Sequence, residues 1–241
     1  MRQRLLFVAL ALALALLLDA GAHAAPADRL RPDQVAAHYP LGEGPPGRYG
    51  EQGRRVARLI QNELGFDVRA VPVYIVDGQT LEQMLRAAGS RVGFHFTLEG
   101  LELDGKVYVR ERLGSVDDAT LIHEVIHVLS MRFASEANGV GLHSLVEGLT
   151  EAMAQRVAPP KRQSSTDLVR RRRPGYVGYT RFAHALADLI GEARLRTCFF
   201  SLGLAALARE VDAKLGAGAF AKAARLLERG DVRPAIAMLE R

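Results

Sequence analysis

Two histidines and a glutamate stand close together in the segment His123-Glu124-Val125-Ile126-His127. Histidines four residues apart on a helix share one face, one turn from each other. Two such imidazoles can bind one Zn²⁺, and Glu124 can act as general base towards a water that the metal acidifies. The segment therefore predicts a zinc site with His123 and His127 as metal ligands and Glu124 as a catalytic residue.

The residues around this motif are mostly apolar, which predicts a buried helix. They are Leu121, Ile122, Val125, Ile126, Val128 and Leu129. A buried polar group without a partner costs on the order of a few kcal/mol. Other side chains could supply the partners of the two imidazoles and the carboxylate, whereas a shared metal would satisfy all three together.

A catalytic zinc site needs a third protein ligand, and the chain offers two candidates. Glu147 follows His127 by twenty residues, and His143 stands a little before it. Ser144 and Glu147 also have capping-box spacing, in which case Glu147 would only cap its own helix. Glu147 and Glu151 lie one helical turn apart, which fits a metal ligand and an outer partner of a ligand histidine, and this favours Glu147.

Over residues 107–157 the chain resembles the gluzincin metallopeptidases, the thermolysin-like and aminopeptidase-like group. Their HExxH is followed at about this distance by a ligand glutamate on the next helix, and Glu147-Gly148-Leu149-Thr150-Glu151 looks like their Glu-Gly-x-x-acid motif. The resemblance implies Zn²⁺ as cofactor, Glu147 as third ligand and Glu151 as the acidic residue that holds a ligand histidine. The metzincin pattern does not fit, because Val128 to Phe133 contains neither its glycine nor its third histidine.

The same resemblance implies two further parts of a peptidase site. A strand around Val107-Tyr108-Val109 would lie along the cleft and pair with an extended substrate. A tyrosine or histidine beyond the second motif would donate to the transition-state oxyanion, and the candidates are Tyr176, Tyr179 and His184. Tyr179 is favoured because the segment before it contains glycines and a helix is predicted to begin next to it. The alternative for each of the three candidates is that its side chain only packs against its neighbours.

The N-terminus has the three parts of a secretory signal peptide. A basic start is followed by an apolar run from Leu5 to Leu18 and by Ala22-His23-Ala24. An uncleaved anchor is the alternative, but the run is shorter than the about 20 residues that a membrane span needs. The pattern predicts a signal peptide over residues 1–24 and an exported protein, periplasmic or secreted.

Composition indicates a packed globular protein of 241 residues, with 49% hydrophobic and 24% charged residues. The net charge of +5 is mild and spread out, which argues against nucleic acid as a partner. A dense basic cluster consists of Arg170–Arg173, Lys161 and Arg162. It indicates a solvated surface or a site that binds an acidic polymer. Cys198 is the only cysteine and stands among apolar residues, which excludes an internal disulfide and indicates a buried thiol.

Hydrophobic periodicity predicts an α+β fold: a small mixed or antiparallel sheet with helices, followed by a mainly helical C-terminal half. The resemblance to gluzincins implies that this fold is zincin-like. Within it we expect a turn at Asp104-Gly105 and a helix from Ser115 to Ala134 that opens with a capping box. The expected domains are an N-terminal segment and linker (25–50), a peptidase domain (51–190) and a C-terminal helical subdomain (191–241). The other predicted elements are helices at Pro32–His38, Tyr49–Leu64, Thr80–Ala88, Ser144–Val157 and Thr180–Ile190, and strands at Val68–Val76, Val92–Leu98 and Lys106–Glu111.

Together these patterns predict an exported zinc metallopeptidase that hydrolyses peptide bonds in a peptide or protein, with cell-wall peptide among the candidate substrates. A zincin-fold protein without catalysis is the alternative, with a structural zinc or a role in binding a partner or the cell envelope. A third reading is an envelope-binding module in which HExxH occurs by chance.

Overall fold

The computed structural model describes residues 30–87, 99–111, 116–158 and 174–240. The predicted signal peptide, the strand predicted at 92–98 and the basic cluster at 161–173 lie outside these ranges. Within them the fold is α+β, with a four-stranded mixed sheet and a C-terminal half made mainly of helices, so the predicted fold class is confirmed. In the same ranges no helix combines the length and the apolar character needed to cross a bilayer.

The sheet contains four strands in the spatial order β1-β2-β4-β3. The central strands β2 and β4 are parallel, and each pairs with its outer neighbour in antiparallel fashion. The strands are β1 (Val35–Pro40), β2 (Pro72–Val76), β3 (Gly100–Leu103) and β4 (Lys106–Arg110).

Ten helices accompany this sheet in the described ranges. They are α1 (Arg48–Leu64), α2 (Gly78–Ala87), α3 (Asp118–Leu129), α4 (Met131–Gly139), α5 (His143–Val157), α6 (Pro174–Ile190), α7 (Glu192–Thr197), α8 (Leu204–Leu215), α9 (Ala219–Glu228) and α10 (Val232–Leu239). A 3₁₀ turn, Pro32–Gln34, precedes β1, and a π-helical turn, Cys198–Leu202, joins α7 to α8.

Alternation of side chains along the strands divides the core between the two faces of the sheet. Val73 and Ile75 of β2 belong to the large apolar cluster that also contains buried residues of α1 and α3. Tyr108 of β4 faces the other way, into a small cluster with Leu81 and Met84 of α2. The large cluster continues through α5 and α6 as far as α10, so the helices after residue 190 share the core of the preceding ones. The boundary predicted at residue 190 remains a prediction.

The turn between β3 and β4 forms at Asp104-Gly105, as predicted. Both residues have positive φ, 52° and 73°, which is the requirement of the type I′ turn that joins tightly paired antiparallel strands. The predicted helix at Pro32–His38 is wrong, because only the 3₁₀ turn is helical and Val35–Pro40 forms β1. Antiparallel pairing with β2 overrides the weak local helical pattern.

The single helix predicted from Ser115 to Ala134 is two helices, α3 and α4, which meet at Ser130. The hydroxyl of the buried Ser130 donates to the carbonyl of His127 at 3.3 Å, and the N–H of Ser130 donates to the same carbonyl at 3.1 Å. Such local bonds compete with the regular helical pattern. Asp117 is the N-cap of α3, with its carboxylate accepting the N–H of Thr120 at 3.1 Å. Helix α3 therefore begins at Asp118 rather than at the predicted Ser115, and Ser115 itself lies outside the described residues.

A carboxylate from a distant helix caps α5. The N-cap residue Leu142 makes no side-chain capping bond, and Glu228 of α9 instead accepts the N–H of Leu145 at 3.1 Å. A negative charge there also interacts favourably with the helix dipole. Glu136 of α4 caps α8 in the same way, accepting the N–H of Leu204 at 2.8 Å. The C-terminal helices thus help to hold α5 in place.

Candidate metal centre

Helices α3 and α5 bring two imidazoles and a carboxylate together. The Nε2 atoms of His123 and His127 lie 3.1 Å apart on α3. Glu147 of α5 turns one carboxylate oxygen to each ring, at 3.4 Å from His123 Nε2 and 3.5 Å from His127 Nε2. One ligand atom from each of the three residues lies within 4.8 Å of the others, so the group could hold a metal ion.

The other ring nitrogen of each histidine has a partner on α5. Glu151 Oε2 lies 3.0 Å from His123 Nδ1, and Gln155 Nε2 donates to the second oxygen of Glu151 at 2.8 Å. Thr150 Oγ1 lies 3.4 Å from His127 Nδ1. Because the Glu151 carboxylate can only accept, His123 Nδ1 carries a proton, whereas the Thr150 hydroxyl can accept from His127 Nδ1 or donate to it. Loss of the proton on His123 Nε2, which faces Glu147, would free that nitrogen to bind a metal.

Sequence reasoning predicted the place of Glu151 beside a histidine but missed Thr150. Thr150 is three residues after Glu147, a helical spacing that puts both on neighbouring positions of one face. Its side chain is fully buried, and a buried hydroxyl needs a hydrogen-bond partner. The spacing from Glu147 was the available signal, whereas its burial is visible only in the folded chain.

Mutual hydrogen bonding shifts the pKa values of these groups. Burial acts to lower the pKa of His123, but its hydrogen bonds with Glu147 and Glu151 outweigh that effect and raise the pKa to about 10. Burial acts to raise the pKa of Glu147, and the two histidines hold it well below its ordinary value. The pKa of Glu151 is lowered in the same way by His123. Glu147 and Glu151 are therefore ionised, and their negative charge stabilises a cation between them, either the protonated ring of His123 or a metal ion.

Glu124 lies on α3 beside these groups and is only 9% exposed. Burial raises the pKa of its carboxyl group, while the charges of His123 and His127 act in the opposite direction. A buried carboxylate with a raised pKa, next to a site that can hold a metal, is a candidate for proton transfer.

The rival assignments for residues 143–147 do not fit the structure. His143 is exposed, and its Nδ1 lies 2.8 Å from Asn138 Oδ1 rather than beside the paired histidines. The capping-box alternative for Glu147 is also wrong, because Leu142 is the N-cap of α5 and Glu147 faces the two imidazoles. Glu147 is therefore the candidate third ligand that the structure brings to the group.

The strand predicted to pair with a substrate is not available for pairing. Residues 107–109 of β4 are bonded to β2 on one side and to β3 on the other. Among the described strands, β3 is the outer one on this side of the sheet. The prediction that the strand around Val107-Tyr108-Val109 pairs with substrate is therefore wrong, and β3 occupies the edge position.

The predicted oxyanion donors lie on α6, which packs directly against α5. A methyl group built on Gly148 would lie 2.6 Å from the carbonyl oxygen of Tyr179, so the two helices approach each other closely beside Glu147. The role of the Tyr179 hydroxyl stays a prediction. His184 is exposed and lines a cavity of about 490 Å³ together with Arg181 and Asp188, and the side chain of Tyr176 lies outside the described part.

Cys198 has the environment predicted for it. Its side chain is buried and forms no disulfide, and burial raises the pKa of the thiol. A thiol of raised pKa is a poor nucleophile at neutral pH.

Comparison of the chain with models of known protein families, with curated proteins and with solved structures found no match. The resemblance to gluzincins thus rests on the motif residues, and membership of that group stays a prediction.

Proposed function

We propose that this chain is a zinc-dependent metallopeptidase of the gluzincin type that acts outside the cytoplasm. The observation that carries the proposal is the separation of the three donor groups. Ligands about 2.0–2.2 Å from a tetrahedral zinc lie about 3.3–3.6 Å from one another. The Nε2 atoms of His123 and His127 lie 3.1 Å apart, close to this range, and they lie 3.4 and 3.5 Å from Oε2 and Oε1 of Glu147, respectively. One ligand atom from each of the three residues lies within 4.8 Å of the others.

The chemistry of the donors favours zinc over harder cations. Two imidazole nitrogens and one carboxylate form the ligand set of several catalytic zinc sites, which leave a fourth position for water or substrate. Calcium and magnesium prefer sites built from oxygen alone. His123, His127 and Glu147 would hold the ion, while Glu151 and Thr150 would orient the two imidazoles.

Peptide-bond hydrolysis assigns a separate task to each remaining residue. Zinc bound here would polarise the scissile carbonyl and lower the pKa of a water. Glu124 would accept the proton of that water and deliver it to the leaving amine. Tyr179 is the proposed donor to the oxyanion, and the edge of β3 is the proposed pairing site for an extended substrate.

The predicted signal peptide and the modest positive charge support a substrate outside the cytoplasm. A peptide or protein is the proposed substrate, and the peptide cross-links of a cell wall are a candidate. The N-terminal sequence of the exported protein tests the first part: cleavage after Ala24 is expected, and a mature chain that still begins at Met1 would contradict it.

The decisive experiment combines metal analysis with Glu124→Gln. We expect one zinc per chain and chelator-sensitive cleavage of a peptide library by the wild-type protein. Glu124→Gln keeps the zinc and lowers the rate about 10²–10⁴-fold, the usual contribution of a general base. Glu63→Gln, an exposed glutamate on α1, is the matched control. Failure to bind zinc would refute the proposal, and zinc without turnover would point to the structural or partner-binding alternative.

A further inference from the structure

We propose that Gly100, the first residue of β3, is a positioning residue for Glu124: the absence of a side chain there holds the carboxylate in place for proton transfer. The effect on turnover rests on the proposed peptidase function, whereas the contact itself can be tested without it. Nothing in the sequence motif points to Gly100, which precedes His123 by more than twenty residues.

The backbone of Gly100 touches the Glu124 side chain. A methyl group built on Gly100 would lie 2.6 Å from Cγ and 2.8 Å from Oε1 of Glu124. Carbon atoms in ordinary contact are about 3.5–4.0 Å apart. Any residue other than glycine would therefore push the Glu124 side chain away by about 1 Å.

Thr120 closes the other side of this space. Its Cγ2 would lie 2.9 Å from the same methyl group. Its hydroxyl donates to Asp117 at 3.1 Å, and the same carboxylate caps α3, so the threonine rotamer is held by the start of the helix. Thr120 and Glu124 are one turn apart on α3 and both lie against Gly100. An added methyl group has no second direction in which to escape.

This confinement has a consequence for catalysis. Glu124 is 9% exposed and lies against a strand backbone that β4 holds in register, with Gly100 paired to Val109. A base held this way needs little reorganisation before it accepts a proton. Misplacing a reacting group by about 1 Å can cost about 10²-fold in rate. Gly100 thus acts on the reaction through Glu124 and touches none of the candidate metal ligands in the contacts described.

Gly100→Ala tests the proposal, with Gly139→Ala as matched control because nothing lies within 4 Å of a methyl group there. We expect Gly100→Ala to lower kcat about 100-fold, to change KM little and to leave zinc affinity at the wild-type value. Gly139→Ala should match the wild type in all three. A Gly100→Ala protein with wild-type kcat, in an assay in which Glu124→Gln lowers the rate, would overturn the proposal.

A double-mutant cycle with Tm as the readout tests this proposal independently of the proposed function. Gly100→Ala should lower Tm in the wild-type background and lower it less in Glu124→Ala, where the methyl group finds space. Equal losses in both backgrounds would overturn the contact, whether or not the protein hydrolyses peptides. If Gly100→Ala alone does not fold, the cycle combines it with Glu124→Ala and Thr120→Ser, which together free both sides of the methyl group; folding of that variant supports the contact and its failure overturns it. If the wild type hydrolyses no peptide but the loss of Tm differs between the two backgrounds, only the proposed peptidase function is refuted.

Discussion

Replacing Glu151 by glutamine tests whether the carboxylate partner of His123 contributes to metal binding at the candidate metal centre. The carboxylate of Glu151 lies 3.0 Å from His123 Nδ1 and carries no proposed metal contact. Glutamine keeps the size and an acceptor oxygen but removes the negative charge. The substitution therefore weakens the basicity and the fixed orientation of His123 without removing a proposed ligand.

The expected loss of zinc affinity follows from the contact between Glu151 and His123 and from the solvent exposure of Glu151. Outer partners of ligand histidines contribute about 10–100-fold to metal affinity. Glu151 is 29% exposed, so solvent screens part of its charge and the lower end applies. We expect zinc to bind about tenfold more weakly, a loss of about 1.4 kcal/mol.

Competition with a chromophoric chelator measures this affinity directly, and thermal unfolding provides a second readout. Zinc at 100 times the wild-type Kd stabilises the native protein by about 2.7 kcal/mol, and a tenfold weaker site loses about half of that. For a chain of this size the zinc-induced rise in Tm should shrink by about 3–5 °C.

Glu63→Gln should leave both values unchanged, because Glu63 is an exposed residue of α1. Zinc affinity of Glu151→Gln within twofold of wild type would refute the idea that this carboxylate supports His123.

Two further predictions concern parts of the site that the motif does not contain. Thr150→Val should weaken zinc binding by up to about tenfold, since the 3.4 Å contact with His127 is long, while Thr150→Ser keeps the hydroxyl and the affinity; equal losses in chelator competition would show that packing rather than the hydroxyl matters. Glu228→Ala should remove the cap of α5 and cost about 0.5–2 kcal/mol, which lowers Tm in a calorimetric scan by about 1–8 °C. An unchanged Tm would show that water replaces the carboxylate at Leu145.

Much of the candidate site was predictable because it lies on two helices with regular spacing. His123 and His127 had to share a face, and Glu147 and Glu151 had to share another, once each segment was helical. The helical spacing of Glu147 and Glu151 also predicts Glu147 rather than His143 as the third ligand. Thr150 and Gly100 were missed because neither belongs to a pattern of chemically reactive residues.

Errors in the fold arose where tertiary contacts override local preference. Val35–Pro40 pairs with β2, so a segment with a weak helical pattern is a strand. The helix that carries the histidines ends at Ser130, whose hydroxyl donates a hydrogen bond to the carbonyl of His127. The prediction that the strand around Val107-Tyr108-Val109 pairs with substrate was wrong because the order of strands in a sheet does not follow from their order in the sequence. Strand β4 follows β3 in the sequence but lies inside the sheet.

By itself the sequence determined the chemistry of the donors, their helical spacing and the α+β class, because periodicity and residue type act locally. Only the tertiary structure decided that α3 and α5 face each other, that Thr150 lies beside His127, and that β3 passes over Glu124 at a glycine. These relations depend on packing between segments distant in sequence, and the distances that they set, a few ångströms between side chains of different helices and strands, appear in no local pattern.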